Sequence, residues 1–326
     1  MDHVTKLAKN IVSLIFARRK LVASEAPLLH EFEHFDEQET AHHVAIVKNL
    51  IEQQQPITMI LPAYPGKSPN RDKTLSYLPD LAEMHSIDLL NELCEEISTV
   101  YSFGAKLIIC SDGYVFSDLV RIPDENVQAY TDQVIAYYSE HYPQHFDFFD
   151  IKDAFTQLKC LSSMREELMI MYGESLITLT ACAKTDPATK SMYTGITRFL
   201  FEDYCGLSEF AQSSKTQIQK LAKQTSLRVI QRSNAWSALL EDKFPNAVRL
   251  SIHPQFRVSK KIGIQLGRAE DSWRTPWHSV AVRVDGEVQL KRRSLVDENR
   301  YRLIFNQGKP CHYQPQFVQE LGEQRA

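Results

Sequence analysis

Glycine is scarce, with 11 residues in a chain of 326. No Gly-rich linker divides the chain, and no internal repeat or low-complexity tract is present. The expected organisation is a helical N-terminal extension over residues 1–25, then one compact domain over 26–326. A cationic excess is also missing. Lys and Arg number 37 against 41 Asp and Glu, a net charge of −4. Proteins that coat nucleic acid are normally basic, so no nucleic-acid partner is expected, although a local basic cleft for a small anion stays open. Long apolar runs are absent too. Near the N-terminus, Ile11 to Ala17 stops at Arg18-Arg19-Lys20. That run is too short to span a bilayer, and no small-residue cleavage site follows it. The expectation is a cytoplasmic protein with no membrane partner. Six cysteines (Cys94, Cys110, Cys160, Cys182, Cys205 and Cys311) form no C-x-x-C pair. They read as free, buried thiols of a reducing compartment, and their spacings make no zinc site.

What is present is ordinary for a globular protein. Hydrophobic residues are 43% and charged residues 24%, which excludes a disordered chain and allows a large core. Val4 to Leu21 and Ala41 to Gln54 carry helical spacing. Ile57 to Leu61, between Pro56 and Pro62, reads as a buried strand. Ser86 is a candidate cap for a helix with Leu89, Leu90, Leu93, Ile97 and Val100 on one face, and Lys106 to Cys110 is a second buried strand. Strand, loop, helix, strand is a βαβ unit, and ligands gather at the carboxyl ends of such strands. Leu161 to Met171 predicts a helix ended by Gly173, and Ser214-x-x-Gln217 is a capping box opening a long helix that stops near Pro245. Strand alternation follows at Val248, Leu250 and Ile252, then at Ile262 to Leu266. A hairpin at Asp285-Gly286 joins Val280–Val284 to Val288–Leu290. The predicted class is α/β: a Rossmann-like mixed sheet with flanking helices.

Several groups can carry chemistry. Gly66-Lys67-Ser68 resembles the end of a phosphate-binding loop, but the full pattern needs glycine five positions earlier, where Leu61 stands. What remains is a loop crowded with Lys67, Ser68, Asn70, Arg71 and Lys73. It is either an anion site helped by a helix starting at Pro69 or a solvated charged loop. Asp112 and Asp118 lie after the second strand, as acid–base groups or as turn residues. Arg249, Ser251 and His253 share one strand face, with Lys261 and His278 further on. Their types fit an anion cleft better than a metal site, because no His-x-His, His-x-x-x-His or His-x-Asp spacing is present. Arg228 and Arg232 share a side of the long helix, and Arg198 sits among apolar neighbours where its charge needs a partner.

Taken in order, eight stretches resemble the pyoverdine/dityrosine biosynthesis family, whose bacterial members are isonitrile synthases. They are Leu61 to Asn70, Leu78 to Glu83, Ser111-Asp112-Gly113 with Phe116-Ser117-Asp118, Gly195 to Leu200, Gln231 to Trp236, Arg249 to Pro254, Lys261 to Ile264 and Thr275 to His278. Two departures are small: Gly66 stands where alanine is frequent, and Ser279 where glycine is frequent. The resemblance implies that residues 26–326 form the catalytic domain. It further implies that the α-amino group of an aromatic amino acid, tyrosine in preference to tryptophan, is joined to ribulose 5-phosphate. The sugar's carbonyl carbon becomes the isonitrile carbon. No redox cofactor, nucleotide or metal is implied, and a separate iron- and 2-oxoglutarate-dependent oxygenase is the expected functional partner.

On that reading, His253 and His278 are proton shuttles, Asp112 receives the substrate ammonium's proton, and Lys261 is a Schiff-base alternative to direct attack by the amine. Lys67, Ser68, Asn70, Lys73, Asp118, Arg198, Arg232 and Arg249 are the substrate-binding candidates. The competing readings are a non-catalytic binding protein for a phosphosugar or amino acid, a metal-dependent hydrolase using His253 and His278, and a formamide-forming relative.

Overall fold

The computed structural model describes residues 2–25, 36–268 and 274–316. Its main sheet has five strands: β1 (Ile57–Pro62), β2 (Ala105–Cys110), β3 (Phe146–Phe149), β4 (Val248–Ser251) and β5 (Ile262–Gly263), in the order β3-β2-β1-β4-β5. Every pairing in it is parallel. The α/β class expected from the sequence is borne out. The apolar runs are buried on both faces because helices cover both faces. Ile57, Met59 and Leu61 of β1 point into one core with Leu107 and Ile109 of β2, while Ile60 and Cys110 point into the other.

The first core is closed by α1 (His3–Phe16), α2 (Glu37–Glu52), α3 (Leu81–Val100) and α5 (Asp124–His141). The second is closed by α4 (Gly113–Val120), the one-turn α6 (Ile151–Ala154), α7 (Leu161–Tyr172) and α10 (Lys215–Lys243). α8 (Leu176–Thr185) and α9 (Pro187–Cys205) complete the helical middle. The N-terminal helix lays Ala8, Ile11, Val12, Ile15 and Phe16 into the same core as β1. The chain then bridges to the β5 region at Arg19–Ile264 and Leu21–Gln255.

A second sheet of four strands, in the order β7-β6-β9-β8, is made by β6 (Val280–Val284), β7 (Glu287–Lys291), β8 (Tyr301–Asn306) and β9 (Lys309–Pro315). The β6–β7 hairpin turns through Asp285 and Gly286, both at positive φ (51° and 87°), as a two-residue type I′ turn requires. Ala281, Val288 and Leu290 of this sheet pack on Ala82 of α3.

Some local expectations move. α3 begins at Leu81, five residues before Ser86, because Asp80 and Glu83 form their own capping box. Ser86 is buried inside the helix and bonds the Glu83 carbonyl and Tyr64. No helix starts at Pro69. Ser68 Oγ instead accepts from the Asn70 amide and donates to Asp203. The long helix holds as expected, with Ser214 and Gln217 closing its capping box. Of the six free cysteines only Cys94 and Cys110 are buried, while Cys160 and Cys205 are exposed. Among the described residues, no helix is long and apolar enough to cross a membrane.

Candidate active site

The strand order reverses direction between β1 and β4, so the loops leaving these strands part and leave a crevice at their carboxyl ends. A cleft of about 100 Å³ occupies that position. Its wall includes Pro62 from the end of β1, Asp112 from the turn after β2, Arg249 to His253 from β4, Lys261 before β5, and Ser233, Trp236 and Ser237 from α10.

Asp112 is the N-cap residue of α4, yet its side chain makes no capping bond. Ser111 Oγ takes the Gly113 amide in its place, at 3.4 Å. One carboxylate oxygen of Asp112 is buried with no hydrogen-bond partner among the described residues. Burial pushes this carboxyl up to about 7. The indole Nε1 of Trp236, a residue of the same wall, is a buried donor without a partner among the described residues. The cleft wall thus carries a buried acceptor and a buried donor, each without a partner among the described residues.

On the facing side, Arg249 donates to the Ser237 carbonyl at 2.9 Å and to its hydroxyl at 2.7 Å, and pairs with Glu241. Lys261 Nζ reaches the same Ser237 hydroxyl at 2.7 Å. The Lys261 ammonium is held below its ordinary value, first by burial and then by the neighbouring Arg249. From the sequence only Lys260 was visible as a perturbing neighbour; the sheet supplies Arg249. His253 lines the cleft and is exposed as a residue, although many protein atoms surround its ring. That crowding, then Lys20 and Lys261, push its imidazole down to about 4.

A second, larger cavity of about 250 Å³ is lined by Lys73, Arg198, Phe199, Glu202, Arg274, His278, Ser279 and Arg292, with Gly195 and Thr275. His278 caps its ring on Thr275 Oγ1 at 3.0 Å and meets Phe199 edge-on at 4.9 Å. Burial, then Lys73, Lys67 and Arg292, drive it down to about 3. His253 is close enough to His278 for their charges to interact. Both rings are neutral at pH 7 in this state. In the cleft wall, Asp112 is the carboxyl that burial brings near neutrality.

The structure thus gathers Asp112, Arg249, His253 and Lys261 in the cleft, and Lys73, Arg198 and His278 in the cavity. It does not bring the other candidates there. Lys67 is sealed from solvent between Asp80 (2.9 Å) and Glu83 (2.8 Å) and donates to the carbonyls of Pro276 and Ser279. It holds the turn that carries His278, and its charge is spent on two carboxylates. Ser68 and Asn70 do similar work, tying the loop to Asp203 and to the Glu202 carbonyl of α9. Asp118 lies six residues beyond Asp112 along α4, about 240° round the helix, and so faces away. There it pairs with Arg232, which also bonds the Val115 carbonyl, and with Arg165. These three charges lock α4, α7 and α10 together.

Other residues at the site escaped the sequence reading. Arg292, in a run with Lys291 and Arg293, carries no motif that singles it out. Lys20 looked like the stop of an apolar helix. It is buried behind the cleft, donates to the Ile252 carbonyl and is pushed down to about 8 by burial. No group of three or more His, Cys, Asp or Glu able to hold a metal ion occurs among the described residues.

Gly113 sets how closely the Asp112 turn meets the β1 loop. A Cβ there would lie 2.6 Å from the Pro65 carbonyl oxygen and 2.7 Å from Val127. Gly113→Ala is expected to cost about 1–3 kcal/mol through overpacking, read as a lowered urea midpoint. An unchanged midpoint would show that this approach is slack.

The model of the pyoverdine/dityrosine biosynthesis protein family matches residues 47–304. The chain is 44% identical over 266 residues to an L-tyrosine isonitrile synthase of Pseudomonas aeruginosa, covering 81% of this chain and 80% of that one. It is 38% identical over 307 residues to the L-tryptophan isonitrile synthase AmbI2 of Fischerella ambigua, covering 94% and 91%. The crystal structure of the PvcA protein from Pseudomonas aeruginosa superposes with a TM-score of 0.87 at 39% identity, covering 95% of this chain and 100% of that one. Fold, motif order and coverage agree: this chain belongs to the pyoverdine/dityrosine biosynthesis protein family.

Proposed function

We propose that this protein is an isonitrile synthase. It converts the α-amino group of L-tyrosine or L-tryptophan to an isonitrile with ribulose 5-phosphate as carbon donor, a lyase-type reaction. The relatives named above, one for each amino acid, support the class of reaction. The observation that carries the mechanism is Asp112: a carboxyl held at about 7, with an unpartnered oxygen, in the cleft at the strand ends.

An amino acid enters water as an ammonium, which is not a nucleophile. Ionised Asp112 accepts one of its protons, and the freed amine attacks the sugar's ketone carbon. The carbinolamine loses water to give an imine, and that carbon becomes the isonitrile carbon once its bonds to both neighbouring sugar carbons break and the rest of the sugar leaves as small fragments and phosphate. Asp112, once protonated, is placed to return its proton to the departing hydroxyl. Arg249, whose terminal nitrogens bond Glu241 and Ser237, supplies positive charge on the cleft wall for the amino-acid carboxylate. Lys261, depressed by burial, is the group suited to a Schiff base with the ketone should the sugar be captured first.

The same proposal includes a cytoplasmic location, the 26–326 catalytic domain with α1 docked on it, and an iron- and 2-oxoglutarate-dependent oxygenase that takes the product. The test is direct. Purified protein is incubated with either amino acid and ribulose 5-phosphate carrying carbon-13 at its second carbon. The label is expected in the isonitrile carbon by NMR; no label with tyrosine or with tryptophan overturns the reading.

A further inference from the structure

Two cations of the cleft wall meet on one hydroxyl. Arg249 Nη2 donates to Ser237 Oγ at 2.7 Å, and Lys261 Nζ donates to the same oxygen at 2.7 Å. All three residues line the cleft. They come from α10, from β4 and from the approach to β5, so only the tertiary fold brings them together. A serine hydroxyl has two acceptor lone pairs and one O–H. Both lone pairs are taken here, so this oxygen can act further only as a donor.

Its proton finds no acceptor among the described residues. A serine inside a helix can return its hydroxyl proton to the carbonyl four residues back, as Ser13, Ser98 and Ser226 do in this chain. Ser237 makes no such bond, since its hydroxyl takes part only in the two bonds it accepts. Glu241, one turn further along α10, is held by Arg249 instead. Ser237 is half-buried, with surface left open, and it borders the cleft. Donation from two cationic groups also draws electron density from the oxygen and strengthens the bond its own proton makes.

We propose that Ser237 is a catalytic residue, its hydroxyl donating to the ketone oxygen of the sugar while the amine of the amino acid adds to the carbonyl carbon. The substrates rest on the function proposed above; the geometry of the hydroxyl does not. In that step the nitrogen lone pair forms the C–N bond and the carbonyl π pair moves onto oxygen. The oxygen becomes an alkoxide and gains a proton as the new ammonium loses one, which gives the carbinolamine. Ser237 transfers no proton. It stabilises the growing negative charge, with Arg249 and Lys261 behind it. The shape of the adduct agrees with this placement. Alkoxide and amino-acid carboxylate hang a few bonds apart, on either side of the new C–N bond. A carboxylate beside Arg249 therefore brings the alkoxide to the neighbour of Arg249.

Steady-state kinetics of Ser237→Ala and Ser237→Thr in the labelled assay test this. Ser237→Ala is expected to lower kcat about 10²-fold, the loss of one donor to a developing oxyanion, with KM for both substrates close to the wild type. Ser237→Thr keeps the hydroxyl and is expected to keep most of the rate. A residue that only spaced the two cations would behave differently, because displaced Arg249 would raise KM for the amino acid. An alanine variant with the wild-type kcat, a loss carried by KM instead of kcat, or a threonine variant as slow as the alanine one overturns the proposal. Failure of this role and failure of the proposed function look different. Labelled isonitrile from the wild type, with kcat unchanged in the alanine variant, sinks the role of Ser237 alone. A wild type that forms no labelled isonitrile from tyrosine or tryptophan sinks the proposed function, and the role of Ser237 with it.

Discussion

Lys67→Met is expected to destabilise the fold by about 3–5 kcal/mol, the usual effect of removing one partner from a buried ion cluster. Lys67 has no exposed side-chain surface, and neither have Asp80 and Glu83 beside it. Burial pulls its ammonium down, but the two carboxylates outweigh burial and hold it above its ordinary value. Glu83, which also accepts from Tyr130 at 3.1 Å, is pushed up to about 7 by the same burial. Methionine fills the volume and removes the cation, so both carboxylates lose their partner. The turn from Pro276 to Ser279 loses two hydrogen bonds and with them its hold on His278.

Urea unfolding reads the first effect, and turnover in the labelled assay reads the second. Adding Glu83→Gln to Lys67→Met should recover part of the stability, because it removes one of the stranded charges. The pH dependence has a definite sign. Folded Glu83 keeps a proton that the unfolded chain releases near 4.5, so its contribution is present below that value and lost as pH rises through about 7. A Lys67→Met midpoint equal to that of the wild type would refute the view that this lysine holds loop, helix and turn together.

Asp112→Asn is expected to lower kcat/KM by about 10²–10⁴-fold, the range for a lost general base. The amide keeps the shape and cannot accept the proton. In the wild type, kcat/KM should rise with pH through about 7, as free-enzyme Asp112 ionises, and this limb should vanish in the variant. Stability moves the opposite way. The folded protein holds the Asp112 proton that an unfolded aspartate gives up near 3.8, so stability is lost as pH rises from there through about 7. Above pH 7 the Asn variant should therefore resist urea better than the wild type, while at pH 3 the two should converge. A variant that keeps the pH 7 limb would remove Asp112 from the reaction.

The opposed signs of activity and stability at one residue are what a functional carboxylate in a dry site produces. Asp112 is an N-cap that does not cap, with Ser111 standing in for it. From the sequence, Ser111-Asp112-Gly113 could equally be turn chemistry, and Asp118 looked like its equal. Their difference is rotational: six residues along α4 carry Asp118 to Arg232 and leave Asp112 over the cleft.

Patterns that act over a few residues were legible without a structure. The two buried strands, the Ser214–Gln217 cap, the Asp285-Gly286 hairpin and the βαβ unit all follow from local sterics and from apolar period. The same logic put ligands at the strand ends, because parallel strands joined by helices leave their carboxyl edge open. Motif order over most of the chain was enough to point to the family. What the chain could not show along its length was which cations remain available. Lys67 and Lys73 belong to one loop and look alike in sequence. One is sealed between Asp80 and Glu83 under α3, while the other, paired with Asp203 and Glu202, lines a cavity shared with Arg292, more than two hundred residues away. Whether a charge is spent on the fold or kept for a ligand depends on partners brought by distant segments and on the loss of water around them, and only tertiary packing sets either.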